Sequence, residues 1–336
     1  MRSARLPSCV VALLLAAGGC STRAPVPDRT NAAREIDRLP LVVAHRGGTA
    51  DYPENTLLAI RKSVRHRADM IWLTVQLSRD GVPVLYRLAD LSANTQGTGP
   101  VSALTLAQLQ QLNAGWHFAR AASDGTVAFP YRSRPLPVPS LAQALAAVPP
   151  SVGIVLDMKA LPATPQAQAV AHVLNEADAW DRVLIYSTDN AYQQAFAGFP
   201  RARLFESRDR TRARLAAVAL AGTCTSAPEP GTWSAFEYRR KVQLLETLTL
   251  GEARSSVDAA LWSPPALACF RSKGKVPVLA IGINNADDYV DAACLGIDAV
   301  MTDSPRTMQA IRSQLALPLR CHGPRADAAR RVLPAS

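Results

Sequence analysis

From Leu41 to Ser304, short apolar runs alternate with stretches whose apolar residues recur at helical spacing. The strand-like runs are LVVAHRG (41–47), MIWLTVQLS (70–78), VPVLYR (82–87), GIVLDMK (153–159), RVLIYS (182–187), ARLFES (202–207), AALWS (259–263), VPVLAIGIN (276–284) and DAVMTDS (298–304). Between them, Leu57, Ile60 and Val64 share one helical face, as do Leu106, Leu109 and Leu112. Thr105-x-x-Gln108 and Ser140-x-x-Gln143 are capping boxes that start helices. Repeated strand–helix units demand a parallel sheet, and eight of them close an α/β barrel of the (β/α)8 TIM type. Nine runs are one too many. Asp80-Gly81 marks a tight turn, so 82–87 reads as the return arm of a hairpin above the barrel mouth, which leaves eight. Residues 116–138 and 208–257 are then long insertions.

The ends follow another pattern. Arg2 and Arg5 precede the apolar run VVALLLAA, which is too short to span a membrane, and Gly18-Gly19 lead to Cys20. Residues 1–19 are therefore expected to be a signal peptide. The small-residue stop before Cys20 resembles the lipobox of bacterial lipoproteins, with Ala17 where that pattern usually has Leu, and implies lipidation at Cys20. Residues 20–39 form a tether rich in Pro, Ser and charge, 40–316 the barrel, and 317–336 a loose basic tail. The expected location is the bacterial cell envelope, with the barrel held at the membrane by its lipid and facing the periplasm, or secretion if the lipobox is not used. A net charge of +10 favours anionic lipids or ligands, but no Lys/Arg run alternates with aromatics, so nucleic acid is not an expected partner. Cys9 leaves with the signal. Cys224, Cys269, Cys294 and Cys321 either form two disulfides, in any of three pairings, or are small buried apolar residues.

In a parallel barrel the chemistry sits at the C-terminal strand ends. His45-Arg46 stands at such an end, and Gly47-Gly48 lets backbone approach a ligand closely. The stretches AHRGG…YPENT, ADMIWLTVQLSRDGVPVL and QGTGPVSALTLAQLQQLNAG, continued by FPYRSRPLPVPSL, IVLDMK and INNADD with GIDAVMTDSP, strongly resemble the glycerophosphodiester phosphodiesterase family over residues 40–310. The resemblance implies a phosphoric diester hydrolase of lipid metabolism. Two histidines act there as nucleophile or general base and as general acid, three carboxylates hold Ca²⁺ or Mg²⁺, and the products are glycerol 3-phosphate and an alcohol. By that resemblance His45 is the first histidine, Arg46 the phosphate-binding arginine, and Glu54 and Asn55 the supporting turn, with Glu54 orienting Arg46. Asp157 takes the third carboxylate position, Lys159 the lysine beside it, and Asn284 a retained pocket position.

The chain departs from that family where the chemistry is heaviest. Trp72 and Thr74 stand at the two positions of the Glu-x-Asp metal-binding pair, on the strand face that Gln76 continues. Arg87 replaces the second histidine, Leu88 the following Asp, and Ile281 a pocket Trp. Asp80-Gly81 and Gly97-Thr98-Gly99 fix this register on both sides. Asp157 alone is too little for a hard cation, so no cofactor is expected, and Ca²⁺ or Mg²⁺ enters only if the chemistry has moved elsewhere. Arg46, Arg87 and Lys159 still attract an anion, but an Arg cannot be a general acid at neutral pH. The expectation is a lipoprotein that binds phosphate, phosphodiesters or phospholipid head groups and hydrolyses them slowly or not at all. One alternative is an active phosphodiesterase in which His117 supplies the second imidazole. Another is an envelope scaffold that uses Trp233, Phe236 and Tyr238 as its contact surface. His66 and His172 read as structural, His322 as part of the tail, Asp287-Asp288 as a helix start, and Trp72 as a plug of the former metal cavity or a stacking surface.

Overall fold

The computed structural model describes residues 34–321. Seven parallel strands carry the barrel: β1 Leu41–His45, β2 Met70–Leu77, β3 Gly153–Met158, β4 Val183–Tyr186, β5 Ser234–Glu237, β6 Val278–Ile281 and β7 Ala299–Thr302. They hydrogen-bond in the order β4-β3-β2-β1-β7-β6-β5. The ring is completed by residues 203–206, which run parallel to both outer strands as isolated bridges, Ile185 to Leu204 and Phe205 to Trp233. Phe205 N donates to Ile185 O at 2.9 Å and Glu206 N to Trp233 O at 2.8 Å, so this short segment serves as the eighth stave.

Helices follow the staves: α1 Leu57–Arg65, α2 Leu141–Ala147, α3 Ala163–Glu176, α4 Ala191–Ala195, α5 Arg208–Ala221, α6 Pro264–Phe270, α7 Ala286–Leu295 and α8 Pro305–Ser313. Most start on a side-chain cap that satisfies a free amide of the first turn: Thr56, Ser140, Ser207, Ser263, Asn285 and Ser304. Both predicted capping boxes are formed. Asp287 and Asp288 lie in the first turn of α7, where negative charge suits the helix N-terminus.

Strand alternation builds two layers. Ile71, Leu73, Val75, Ile154, Leu156, Val183 and Ile185 face the helices. Val43, Met70, Trp72, Val155, Leu184, Tyr186, Phe205 and Met301 fill the barrel interior. Each large side chain so buried is worth about 1.5–3 kcal/mol. Pro83–Leu85 pairs antiparallel with β2, which makes the predicted hairpin.

Four sequence expectations need correction. AALWS (259–263) is no stave: Ala259 ends an arm of an outlying hairpin, and Trp262 packs among the helices, its indole N–H donating to Phe236 O at 3.2 Å. The stave is Ser234–Glu237, inside the stretch read as an insertion, which also contains α5. Phe236 and Tyr238 are consequently buried in the fold and present no contact surface. The tail is not loose throughout, since Leu319–Cys321 is a strand whose Arg320 bonds Glu35 at 3.1 Å. The predicted signal, Cys20, most of the tether, His322 and the remaining tail lie outside the described residues.

Two disulfides form, Cys224–Cys269 and Cys294–Cys321. The first joins the segment after α5 to α6, and the second ties the terminal strand to α7. Replacing Cys224 and Cys269 together by Ser is expected to lower the unfolding free energy by about 2–4 kcal/mol, read from the denaturant midpoint; an unchanged midpoint would refute the staple.

Candidate active site

The mouth is assembled from the strand ends. His45 closes β1, and the chain then turns through Arg46 (φ 51°), Gly47 (φ 79°) and Gly48 (φ 94°). A Cβ on Gly47 would lie 2.9 Å from the Ala59 Cβ, and one on Gly48 2.8 Å from the Pro305 Cδ, so the apolar run ends in the only residue type that fits. Asp51 anchors the loop to α8, accepting from Ser304 Oγ at 2.9 Å and Arg306 Nε at 3.2 Å.

His45 Nδ1 lies 2.6 Å from Asp303 Oδ1. Thr49 Oγ1 donates to the same carboxylate at 2.9 Å, and Asn284 Nδ2 to its other oxygen at 2.9 Å. Asn284 is fixed in turn by the Asp303 amide and the Thr302 hydroxyl. The ring is therefore oriented through one nitrogen, as in a carboxylate-buttressed nucleophile or base. The His45 contact, with Thr49 and Asn284, holds the Asp303 carboxyl far below the usual carboxylate range.

Arg46 is bonded by Glu54 and is mostly buried. Burial and the nearby Arg87 lower its pKa, while Glu54 and Asp157 act in the opposite sense. Asn55, at φ 56°, accepts the Thr74 amide at 3.0 Å through Oδ1 and so joins this turn to β2. Arg87 is exposed at the end of the hairpin. Gln76 brackets it, donating to Tyr86 O at 3.2 Å and Leu88 O at 2.8 Å.

Trp72 and Thr74 point inward, and Thr74 is the strand partner of Asp157. Trp72 is 3% exposed and packs on Tyr186 (centroids 4.7 Å apart) and Phe205 (6.3 Å), which makes it the plug of the barrel rather than an open stacking surface. Asp157 is 5% exposed, with Lys159 Nζ 3.0 Å from Oδ1. Burial raises the Asp157 pKa, and Lys159 and the Trp72 indole only partly offset that.

The divalent cation implied by the resemblance does not fit these residues. Asp157 already holds the Lys159 ammonium, and Glu54 is bonded to Arg46. The buried side-chain atoms here without a hydrogen-bond partner are Glu54 Oε1, Asn55 Nδ2, Thr74 Oγ1 and Asp157 Oδ1, the last with the Lys159 ammonium 3.0 Å away as its ion-pair partner. Among the described residues, no group of three or more His, Cys, Asp and Glu side chains could hold a metal ion. Hard cations need several charged oxygens.

Several mouth residues escaped the sequence reading. Asp303 lies in the quoted DAVMTDS run without having been singled out. Arg208, after the bridging segment, binds Glu237 through both carboxylate oxygens at 2.5 and 2.7 Å and reaches Tyr186 Oη at 3.3 Å. Thr188 accepts from Lys159 Nζ at 3.3 Å. His117 is exposed on the 116–138 insertion, His66 contacts Gln309, and His172 pairs with Glu176 on the surface of α3.

The profile described as "Glycerophosphoryl diester phosphodiesterase family" matches residues 45–307. Uncharacterized protein Rv2277c of Mycobacterium tuberculosis is 44% identical over 299 residues, which are 89% of this chain and 97% of that protein. The crystal structure of its glycerophosphoryl diester phosphodiesterase domain superposes with a TM-score of 0.75 over 82% of this chain and all of that one. An Oleispira antarctica phosphodiesterase, solved in complex with the product sn-glycerol-3-phosphate, is 21% identical with a TM-score of 0.60 and covers 82% of this chain and 97% of that one.

The two mouth carboxylates should act on stability with opposite sign. The depressed Asp303 contributes stability that is complete above the ordinary carboxylate pKa of about 4 and is lost as pH falls below it. The raised Asp157 contributes stability that is lost as pH rises through its titration. Thermal melts against pH should show Asp303→Asn flattening the acid limb. In the same melts Asp157→Asn should remove the part of the stability loss seen as pH rises through the Asp157 titration, and an unchanged slope there would contradict the assignment.

Proposed function

The chain belongs to the glycerophosphoryl diester phosphodiesterase family, and from that membership we propose a barrel that captures phosphate-bearing ligands, phosphodiesters or phospholipid-derived head groups, and hydrolyses them slowly or not at all. The observation that carries this reading is the Lys159 ammonium seated on Asp157, the one inward-facing carboxylate left among the three ligand positions. A positive charge is built into the site from the chain itself, and Trp72 fills the space beside it. Arg46, held by Glu54, and Arg87, bracketed by Gln76, add two further cations for a phosphate. Guanidinium groups suit phosphate oxygens because two N–H donors meet two acceptors at once. The Oleispira antarctica neighbour, bound to sn-glycerol-3-phosphate, supports a small phosphate ester as the ligand class.

Hydrolysis needs more than capture. His45, buttressed by Asp303, keeps the arrangement of a nucleophile or base. The second-histidine position is Arg87, and a guanidinium is too weak an acid to serve as the general acid. Loss of a general acid costs about 10²–10⁴ in rate, and loss of metal stabilisation several kcal/mol more, which together come to about 10⁴–10⁸. The retained His45–Asp303 pair favours residual turnover as the second reading. In that case the hydrolysis is metal-independent and disappears with His45→Ala. The N-terminal pattern supports an envelope protein lipidated at Cys20, which brings the mouth near lipid-derived ligands.

Calorimetric titration with glycerol 3-phosphate should show binding that is unchanged by chelator and weakened about tenfold by Arg87→Ala, as expected for one lost charge-assisted contact. Glycerophosphodiester turnover should not respond to Ca²⁺ or Mg²⁺. Metal-dependent turnover at about 1–10³ s⁻¹ would overturn the reading.

A further inference from the structure

A feature unrelated to the anion site stands on the same rim. Two residues after β5 the chain leaves the barrel as an antiparallel hairpin, Arg240–Leu248 paired with Gly251–Ala259 over nine residue pairs. Among the described residues it hydrogen-bonds to no other strand. Because it connects a barrel strand to the following helix, α6, it rises from the C-terminal, mouth-bearing face. An isolated two-stranded ribbon is marginal in water unless something covers a face.

Its side chains are graded along its length. Arg239, Arg240 and Lys241 stand at the root. Leu248 (59% exposed) and Leu250 (99% exposed) stand at the tip, with Leu245 (55%) one step back. On one face Val242 lies opposite Val257, Glu246 opposite Ala253 and Leu248 opposite Gly251, while Leu245 lies on the other face opposite Arg254, so the uncharged apolar end is Leu248 and Leu250. Glu246 and Glu252 lie just behind, and Arg254 lies 3.5 Å from Glu252, so apolar contact is confined to the tip.

The 116–138 insertion connects the β2 hairpin to α2 and therefore belongs to the same face. It carries exposed guanidinium groups seated on rings: Arg132 lies 3.9 Å over Phe129 and 5.2 Å over Trp116, and Arg134 6.0 Å over Tyr131. Neither Arg132 nor Arg134 forms an ion pair among the described residues. Arginines beside aromatic rings on one side of the rim and an apolar tip on the other, four staves away by strand order, match a bilayer lying across the mouth, where cations meet lipid phosphates and leucines enter the acyl layer.

We propose that the mouth face docks on an anionic phospholipid bilayer, with Leu248 and Leu250 entering the acyl boundary and Arg132 and Arg134 contacting head-group phosphates. This contact is separate from any lipid on Cys20 and does not depend on what the anion site binds or cuts. Among the described residues no helix is long and apolar enough to cross a membrane, so the contact is interfacial.

The test uses the full chain carrying Cys20→Ser, so that no acyl group holds it. Co-flotation is measured with vesicles of phosphatidylglycerol and phosphatidylcholine and with phosphatidylcholine alone. Leu248→Asp with Leu250→Asp should lower partitioning about tenfold or more on the anionic vesicles. Arg132→Ala with Arg134→Ala should weaken binding to the anionic vesicles and leave phosphatidylcholine binding unchanged. Leu250→Trp reads the tip directly: its indole emission should be quenched by lipids brominated on their acyl chains, whatever the N-terminal segment does. An unquenched indole, or partitioning indifferent to the leucine changes, overturns the proposal. So does light scattering that finds the unaltered chain dimeric and the Leu248→Asp, Leu250→Asp form monomeric, because the tip would then cover a second copy of the chain.

Discussion

Alternation along a strand inside a closed parallel barrel governs everything at this mouth. In β2 the residues at 71, 73 and 75 must face the helices if the barrel is to have an outer core, and they are Ile, Leu and Val. Residues 72 and 74 are thereby committed to the interior, beside Val155 and Asp157 of the neighbouring strand. No adjustment of loops can move a carboxylate into those two positions. Changing their chemistry therefore changes the site itself, and a Trp placed there has to be absorbed by the interior. It is absorbed, through ring contacts with Tyr186 and Phe205 and a place among Met70, Val155 and Leu184.

The electrostatics follow from that packing. A cage of carboxylates around a cation is costly to bury unless each charge is matched. Here a single carboxylate is buried and matched by one ammonium at 3.0 Å. Burial still outweighs the ion pair for Asp157, whereas Asp303 across the mouth is stabilised in its charged form by three donors. The two halves of the mouth thus differ in kind. The β1–β7 side holds a histidine–carboxylate pair whose carboxylate takes three contacts, and the β2–β3 side is an aromatic plug with an internal ion pair.

Much of this was legible in the sequence because the signals were local. Runs such as MIWLTVQLS and GIVLDMK announce their strands, Asp80-Gly81 the hairpin, and the capping boxes their helices. His45, Arg46, Glu54, Trp72, Thr74 and Asp157 could be placed at the mouth through the family resemblance, whose motifs fix each at an offset within a strand or turn. Ser234–Glu237 was missed because a four-residue stave of Ser, Ala, Phe and Glu, pressed between neighbours on both sides, needs no β-rich composition of its own. The hairpin arms that follow fell in the stretch read as an insertion, and AALWS, the compact apolar run just beyond them, was taken for the stave instead. Asp303 and the Arg208–Glu237 pair were hidden for a different reason. Their partners lie 258 and 29 residues away in the chain, and only barrel closure brings them together.

Barrel closure also explains why the His45–Asp303 half of the mouth is built independently of the half around Trp72 and Asp157. The contact of His45 with Asp303 joins the first and last strands of the ring, and Asn284 braces it from the loop after β6. Thr49 and the Asp51 anchor on α8 make the same turn part of the structural seam. Residues placed there hold the barrel shut as well as facing a ligand, so a change that removed them would disturb folding whatever became of catalysis. Trp72 and Thr74 carry no such duty, because β2 is held by backbone pairing to β1 and β3 and by its outward residues. Those two positions, which no seam contact constrains, are the ones where the family resemblance places a Glu-x-Asp pair and this chain has Trp and Thr.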